Sequence, residues 1–522
     1  MSNETAPPRA RAGRREWLGL AVLTLPTLLV SMDFTVLYLA LPPLAADLDA
    51  TATQQLWIMD VYGFLVAGLL ITMGGLGDRI GRRRLLLAGA AAFGAASVLA
   101  AFSTSAEMLI VTRAVLGVAG ATLMPSTLAL VGTLFADPRQ RASAIGLWAG
   151  AMMTGGALGP IVGGLLLERF WWGSAFLLGV PVMVLLLAAG PLLLPEVRPA
   201  EPGRLEPLSV LLSLAAILPV VYGVKELAAG AAGVAAVAAI GAGVVFGALF
   251  VRRQRRLADP LLDLGLFAER AFGPMLAVML AGGAVLAGYF LLLSQYVQMV
   301  LGLSPAQAGL WLSPASLTMA VCAAAAPHLA RRVPPAVLLP AGLVLAAAGM
   351  LLLTRLGTDG GLPVAVISMI VVHAGVAPVF ALGTDLVVGS APPERAGSAA
   401  SVSETSNELG VGVGMATVAT AGFAVYRHRM DPDALPGVPG EAAAQAREGI
   451  TGATAAAEPL PSPAATALLD AAHSAFTGGL HVTALIGAAV FVVLAVVTRA
   501  ALRPGAPRPA PEPTAPVPGP VV

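Results

Sequence analysis

The chain has 522 residues, of which 57% are hydrophobic and only 11% charged, with a mean hydropathy of +0.85. Soluble proteins carry about 25% charged residues, so this composition excludes a water-soluble domain and points to a membrane protein. A net charge of +1 excludes a general polyanion- or nucleic-acid-binding surface, and a single cysteine, Cys322, excludes a disulfide framework or a thiolate metal cage.

A bilayer-crossing helix needs about 20 apolar residues. Fourteen such stretches are predicted, near 17–41, 54–76, 85–103, 107–132, 142–167, 173–194, 207–228, 231–251, 271–293, 306–328, 336–354, 361–388, 398–425 and 475–498. The first is longer than the core of a signal peptide and contains Asp33, so cleavage is not expected. Positive charge marks cytoplasmic loops. With the N-terminus inside, 23 of the 30 basic residues fall in cytoplasmic segments, five in external ones, and Arg113 and Lys225 within spans. Both termini are therefore expected in the cytoplasm.

Two loops repeat. Leu76-Gly-Asp-Arg-Ile-Gly81 follows span two and Leu329-Ala-Arg-Arg-Val-Pro334 follows span ten, while Ala136-Asp-Pro-Arg-Gln-Arg-Ala-Ser143 follows span four and Ala391-Pro-Pro-Glu-Arg-Ala-Gly-Ser398 follows span twelve. Arg79 and Arg332 lie 253 positions apart, and Arg141 and Arg395 lie 254 apart. Repetition at nearly one spacing implies two homologous bundles, with spans seven and eight inserted between them. The expected organisation is a cytoplasmic arm (1–16), a six-helix bundle (17–195), two linker helices (207–252), a second six-helix bundle (270–499) with a long external loop (427–473), and a Pro-rich cytoplasmic tail (500–522). In that loop, Glu441–Glu448 and Ala464–Ala472 are candidates for a helical hairpin, with disorder as the alternative.

Several motifs resemble those of the major facilitator superfamily, specifically its 14-span drug:proton antiporters. They are Gly74-Gly-Leu-Gly-Asp78-Arg79-Ile-Gly81-Arg82-Arg83-Arg84 between spans two and three, Arg113 with Gly117 in span four, and Gly155-Gly-Ala-Leu-Gly159-Pro160-Ile-Val-Gly163-Gly164 in span five. Met32-Asp33-Phe-Thr-Val-Leu-Tyr-Leu-Ala-Leu-Pro42 resembles the span-one motif of that group. Gln54-Gln-Leu-Trp57-Ile-Met-Asp60-Val-Tyr62 and Tyr222-Gly-Val-Lys225-Glu226 are similar to its exporters of quaternary ammonium compounds and cationic dyes. The resemblance implies an all-α polytopic protein of the bacterial inner membrane that exports lipophilic, cationic drugs by alternating access. A dedicated exporter of one self-made metabolite is the alternative. It would be monomeric, driven by the proton gradient without a cofactor, and not an enzyme. No His-Glu-x-x-His, Gly-x-Ser-x-Gly or nucleotide loop is present.

Charged groups at membrane depth are costly and usually functional. Asp33 lies about nine residues, roughly 13 Å, from the external end of span one, and Arg113 about six residues, roughly 9 Å, from that of span four. At comparable depth they suit an ion pair or a shared proton site. An adjacent cation favours an ionised carboxylate and desolvation disfavours it, so a pair that separates switches its hold on a proton. On this reading Asp33 alternately carries a proton and faces cationic cargo; a permanent salt bridge that fixes packing is the alternative. Asp60 is a proton site, a cation lure, a partner of Lys225 or a structural group. Glu404 and Glu408, at i and i+4 in span thirteen, share one helix face, and in the related dye exporters this stretch is similarly acidic and faces the central cavity. Glu408, nearer the midplane, is the stronger candidate for proton carriage. Span ten lacks the acidic residue that some relatives use for divalent cargo, so monovalent cations are expected. Asp78, Arg79 and Arg82 resemble a conformational latch, with retention of topology by positive charge as the plainer role. Gly155, Gly159, Pro160, Gly163 and Gly164 suit a moving bundle interface. His373 in span twelve is a candidate for titration near neutral pH, although a lone histidine among apolar residues is more often simply packed.

Overall fold

The computed structural model describes residues 12–135, 137–196, 206–228, 233–257, 264–268, 272–389, 396–430 and 438–502. The first half holds α1 (Arg14–Asp47), α2 (Ala52–Ile80), α3 (Arg82–Ala101), α4 (Ala106–Leu134), α5 (Pro138–Arg169), the short α6 (Ser174–Leu177) and α7 (Gly179–Leu193). Two further helices, α8 (Pro207–Ala228) and α9 (Val234–Gln254), precede the second half. That half holds α10 (Phe272–Gln295), α11 (Pro305–Ala330), α12 (Pro335–Leu353), α13 (Leu362–Gly389), α14 (Ala396–Gly414), α15 (Thr420–Arg429), α16 (Gly440–Glu448), α17 (Ile450–Ala457) and α18 (Ser462–Ala501). A π-helical turn, Tyr296–Val300, extends α10, and another, Met415–Ala419, joins α14 to α15 as one span.

Among the described residues thirteen helical segments are long and apolar enough to cross a membrane. The fourteenth span is α2, whose 29 residues reach roughly 43 Å at 1.5 Å each but are diluted in apolarity by Gln54, Gln55 and Asp60. Large apolar side chains stand exposed around the perimeter, among them Leu99, Val111, Val184, Leu317, Val321, Val493 and Val496, as a lipid-facing surface requires. A helix satisfies most of its backbone polar groups internally, the condition for crossing hydrocarbon, and prolines such as Pro42, Pro125 and Pro160 interrupt that ladder.

Helix pairing repeats between the halves. In the first, α1 packs on α5 and α7, α2 on α4, and α3 on α4 and α7; in the second, α10 packs on α14 and α18, α11 on α13, and α12 on α13 and α18. The starts of α2 and α11 repeat as well. Thr51 and Ser304 each cap their helix by accepting from the backbone N–H of Gln54 and Gln307, whose side chains accept from the cap N–H in return. These reciprocal boxes satisfy donors that a helix start leaves open. The inserted α8 and α9 pack chiefly on each other and are tied by Arg253, which donates to Glu206 at 2.6 Å and to Ser209 at 3.1 Å. A small apolar cluster of Phe64, Val221 and Ala416 seats α8 against α2 and the second half.

Where the long loop was expected, α16 and α17 form the helical pair. Ala464–Ala472 is not a separate helix but the opening turns of the 40-residue α18, because no Gly or Pro interrupts the chain between Pro463 and Gly478. Tyr426 donates to the Ala446 carbonyl at 2.7 Å and fastens α16 to α15. The N-terminal arm before residue 12 and the tail after residue 502 lie outside the described residues.

Candidate functional site

The two halves meet at the end opposite the arginine-rich loops. There Ser294 donates to the Tyr38 carbonyl at 3.1 Å, Gln295 donates to the Gln55 side chain at 3.3 Å, and Gln55 reaches Thr451 of α17 at 3.3 Å. Backbones also touch across the seam, since a side chain on Gly309 would collide with the Pro160 carbonyl and one on Gly164 with the Pro305 carbonyl.

Beneath the Tyr38–Phe290 edge-to-face contact, at 5.0 Å between centroids, lies a central cavity of about 420 Å³ with an adjoining chamber of about 290 Å³. It runs toward the arginine-rich end as far as Ala323 and Thr384. Thr35, Tyr38, Met152, Met279, Phe290, Ser316, Met319, His373 and Asn407 give it an apolar wall with scattered polar groups. Methionines are flexible and polarisable, which lets one surface repack around different guests. No carboxylate is among the described lining residues. Glu404 and Glu408 belong to α14, whose Asn407 and Val411 line the cavity; their side chains lie outside the described residues.

Asp33 is not at this cavity. One face of α1 turns Ser31, Thr35 and Tyr38 to the cavity and chamber, while Leu29, Asp33 and Val36 face Phe93, Phe176 and Gly179 inside the first bundle. The helical period puts positions 33 and 35 on opposite sides, so here Asp33 is held within its own bundle while Thr35 reaches the cavity. There Arg113 Nη1 donates to Asp33 Oδ2 at 2.6 Å, with the arginine side chain wholly buried and the aspartate 14% exposed. Arg113 Nε donates to the Ile58 carbonyl at 3.1 Å, and its guanidinium lies 4.6 Å from the Tyr62 ring centroid. Gly117 makes this possible, because a Cβ there would come within 2.8 Å of the Tyr62 carbonyl. Asp60, 2% exposed, is also buried in α2. The side chain of Lys225, its suggested partner, is outside the described residues.

The glycines of span five divide between two tasks. Gly155, Gly159 and Gly163 face Leu28, Thr35 and Val36 of α1, inside the first bundle, and only Gly164 and Pro160 lie on the seam with α11. Four-residue spacing keeps the first three in one stripe, and the next residue along turns to the neighbouring helix. In the arginine-rich loop the Asp78 side chain is outside the described residues, Arg79 is exposed, and Arg82 folds over Gly77. Sequence reasoning missed the anchor of this loop, Glu196 just beyond α7. Its carboxylate lies 3.6 Å from Arg83 and 3.7 Å from Arg84 and accepts from the Arg83 N–H at 3.3 Å.

Two pseudo-repeated helical bundles around a cavity sealed at one end define a membrane transporter. The family model for the major facilitator superfamily matches residues 23–415, and the chain belongs to that superfamily. It is 45% identical over 500 residues to the multidrug efflux pump LfrA of Mycolicibacterium smegmatis, covering 96% of this chain and 99% of that one. It is 33% identical over 490 residues to the methyl viologen resistance protein SmvA of Salmonella typhimurium, covering 92% and 97%. Among solved structures, a bacterial homologue of the human lysosomal transporter Spinster superposes with a TM-score of 0.64 at 17% identity, over 94% of this chain and 98% of that one.

Proposed function

We propose that the protein is a proton-coupled exporter of lipophilic, monovalent cationic drugs and dyes in a bacterial inner membrane, acting as a monomer with both termini in the cytoplasm. Its similarity to LfrA and SmvA over nearly the whole chain supports drug export. The observation that carries proton coupling is the buried Asp33–Arg113 pair, a charged group kept at membrane depth where an apolar residue would pack at lower cost.

A single helix connects proton and cargo. On one face α1 holds Asp33 against Arg113, on the other it offers Thr35 and Tyr38 to the cavity, and its Tyr38 carbonyl accepts from Ser294 in the seal. With Asp33 ionised, the pair fixes α1 on α4. A proton on Asp33 removes the charge that holds Arg113, which keeps the Ile58 carbonyl and the Tyr62 ring as partners. Freed, α1 shifts relative to α4 and changes the seal and the cavity wall together. Cargo enters from the cytoplasm or inner leaflet while the far end is sealed and leaves when the seal opens. Asp78, Arg79 and Arg82 act as a latch at the cytoplasmic side, and Glu404, Glu408 and Asp60 add negative charge that favours cations.

Inverted vesicles bearing an imposed pH gradient test this reading. Ethidium should dissipate the gradient in vesicles with the wild-type protein and not in vesicles lacking it. No dissipation across a panel of monovalent cations would replace the broad exporter with a dedicated metabolite exporter.

A further inference from the structure

His373 stands on α13 with one ring nitrogen engaged and the other open. Its Nδ1 lies 2.9 Å from the Met369 carbonyl oxygen one turn earlier and 3.1 Å from the Tyr289 hydroxyl. A carbonyl only accepts, so the hydrogen-bond pattern assigns the proton of the neutral ring to Nδ1 and leaves Nε2 as an acceptor. Nε2 makes no hydrogen bond to the described residues and is not among the buried atoms lacking one. His373 lines both the cavity and its side chamber, so that open nitrogen faces the space a guest would fill. Tyr289 and Phe290 pack against the ring from α10, with centroids 6.2 and 6.5 Å away, which fixes its orientation.

The surroundings make this acceptor unusual. Thr35 and Tyr38 from α1, Ser316 from α11, Thr384 from α13 and Asn407 from α14 are the other polar groups lining the cavity, and Ser31 of α1 joins them in the chamber. None of them is charged, and the side chains of Glu404 and Glu408 on α14 are outside the described residues.

We propose that His373 Nε2 is the point at which the cavity recognises cargo carrying an N–H donor, so that protonated amines are bound by a directed hydrogen bond that quaternary ammonium ions cannot make. The inference rests on the exporter reading and deepens it, dividing the cationic cargo into two chemical classes.

Isothermal titration of purified protein at pH 7.5 with N,N-dimethyloctylamine and with octyltrimethylammonium tests it, because the two differ by one methyl group in place of one N–H. A hydrogen bond to a charged donor amounts to about a tenfold change in affinity. His373→Phe should weaken amine binding about tenfold and leave quaternary binding within about twofold, and His373→Gln should recover part of the loss because its amide oxygen accepts. Equal loss for both ligands, or no loss for either, would overturn the proposal, as would wild-type protein that does not bind the amine. Binding is measured without a gradient, so a failure of proton-driven export with the amine–quaternary difference intact would count against the exporter reading only.

Discussion

Arg113 donates to Asp33 across 2.6 Å from a side chain with no solvent exposure, and the same α1 that carries Asp33 lines the central cavity with Thr35 and Tyr38 on its opposite face. The ion pair and the cargo space are therefore separate places joined by one helix. On the proposed mechanism, competition between proton and drug for a single carboxylate is not required of Asp33, and movement of α1 suffices.

Removing one partner of a buried pair leaves the other charge uncompensated, at about 3–5 kcal/mol. Arg113→Met should lower stability by about that amount, read from thermal unfolding in detergent. Adding Asp33→Asn to it should restore at least half of the loss, since replacing both charges is often nearly neutral. A double variant as unstable as the single would mean that Arg113 matters for packing and not for pairing.

Two glycines separate packing within a bundle from packing between bundles. Gly155→Ala forces a Cβ against the Leu28 carbonyl and should cost about 1–3 kcal/mol of stability. Gly309→Ala forces one against the Pro160 carbonyl on the seam, and should loosen the seal instead. With Cys322 replaced by Ser and a cysteine placed at Ser316 in the cavity, Gly309→Ala should raise labelling by an impermeant maleimide from the external side several-fold. Unchanged labelling would remove the seam from the gating account.

Phe290 and Tyr38 meet edge to face where the cavity meets the seal. An aromatic face is worth about 0.5–2 kcal/mol to a cation held out of water. Phe290→Ala should accordingly raise KM for ethidium about 2- to 30-fold while changing the maximal rate less, as steady-state efflux will show.

Much of the architecture was legible because lipid imposes simple rules. Alternating arginines and apolar lengths marked the fourteen spans, and loops 253 residues apart exposed the repeat. The capping pairs Thr51/Gln54 and Ser304/Gln307 share that same spacing, a further signal that the loops alone did not use. Depth along a helix was readable for Asp33 and Arg113, but the face was not. Which side of α1 meets the cavity depends on how α1 packs against α4, α5 and α7, and no local pattern carries that. Glu196 was missed because a lone carboxylate after a span has no motif; its closeness to the arginine-rich loop appears only once α3 and α7 pack together. For His373, the apolar neighbours that favoured a packed role conceal the cavity created by α1, α10 and α14 from elsewhere in the chain.

Purified protein in liposomes allows transport to be read in two modes, exchange of labelled ethidium for unlabelled without a gradient and uptake driven by an imposed pH gradient. The account predicts that Asp33→Asn retains binding and exchange within about threefold of wild type while gradient-driven transport falls at least tenfold, because the residues that line the cavity are unchanged and the proton site is gone. Wild-type gradient-driven transport by Asp33→Asn would contradict it and leave the Asp33–Arg113 pair as a structural brace.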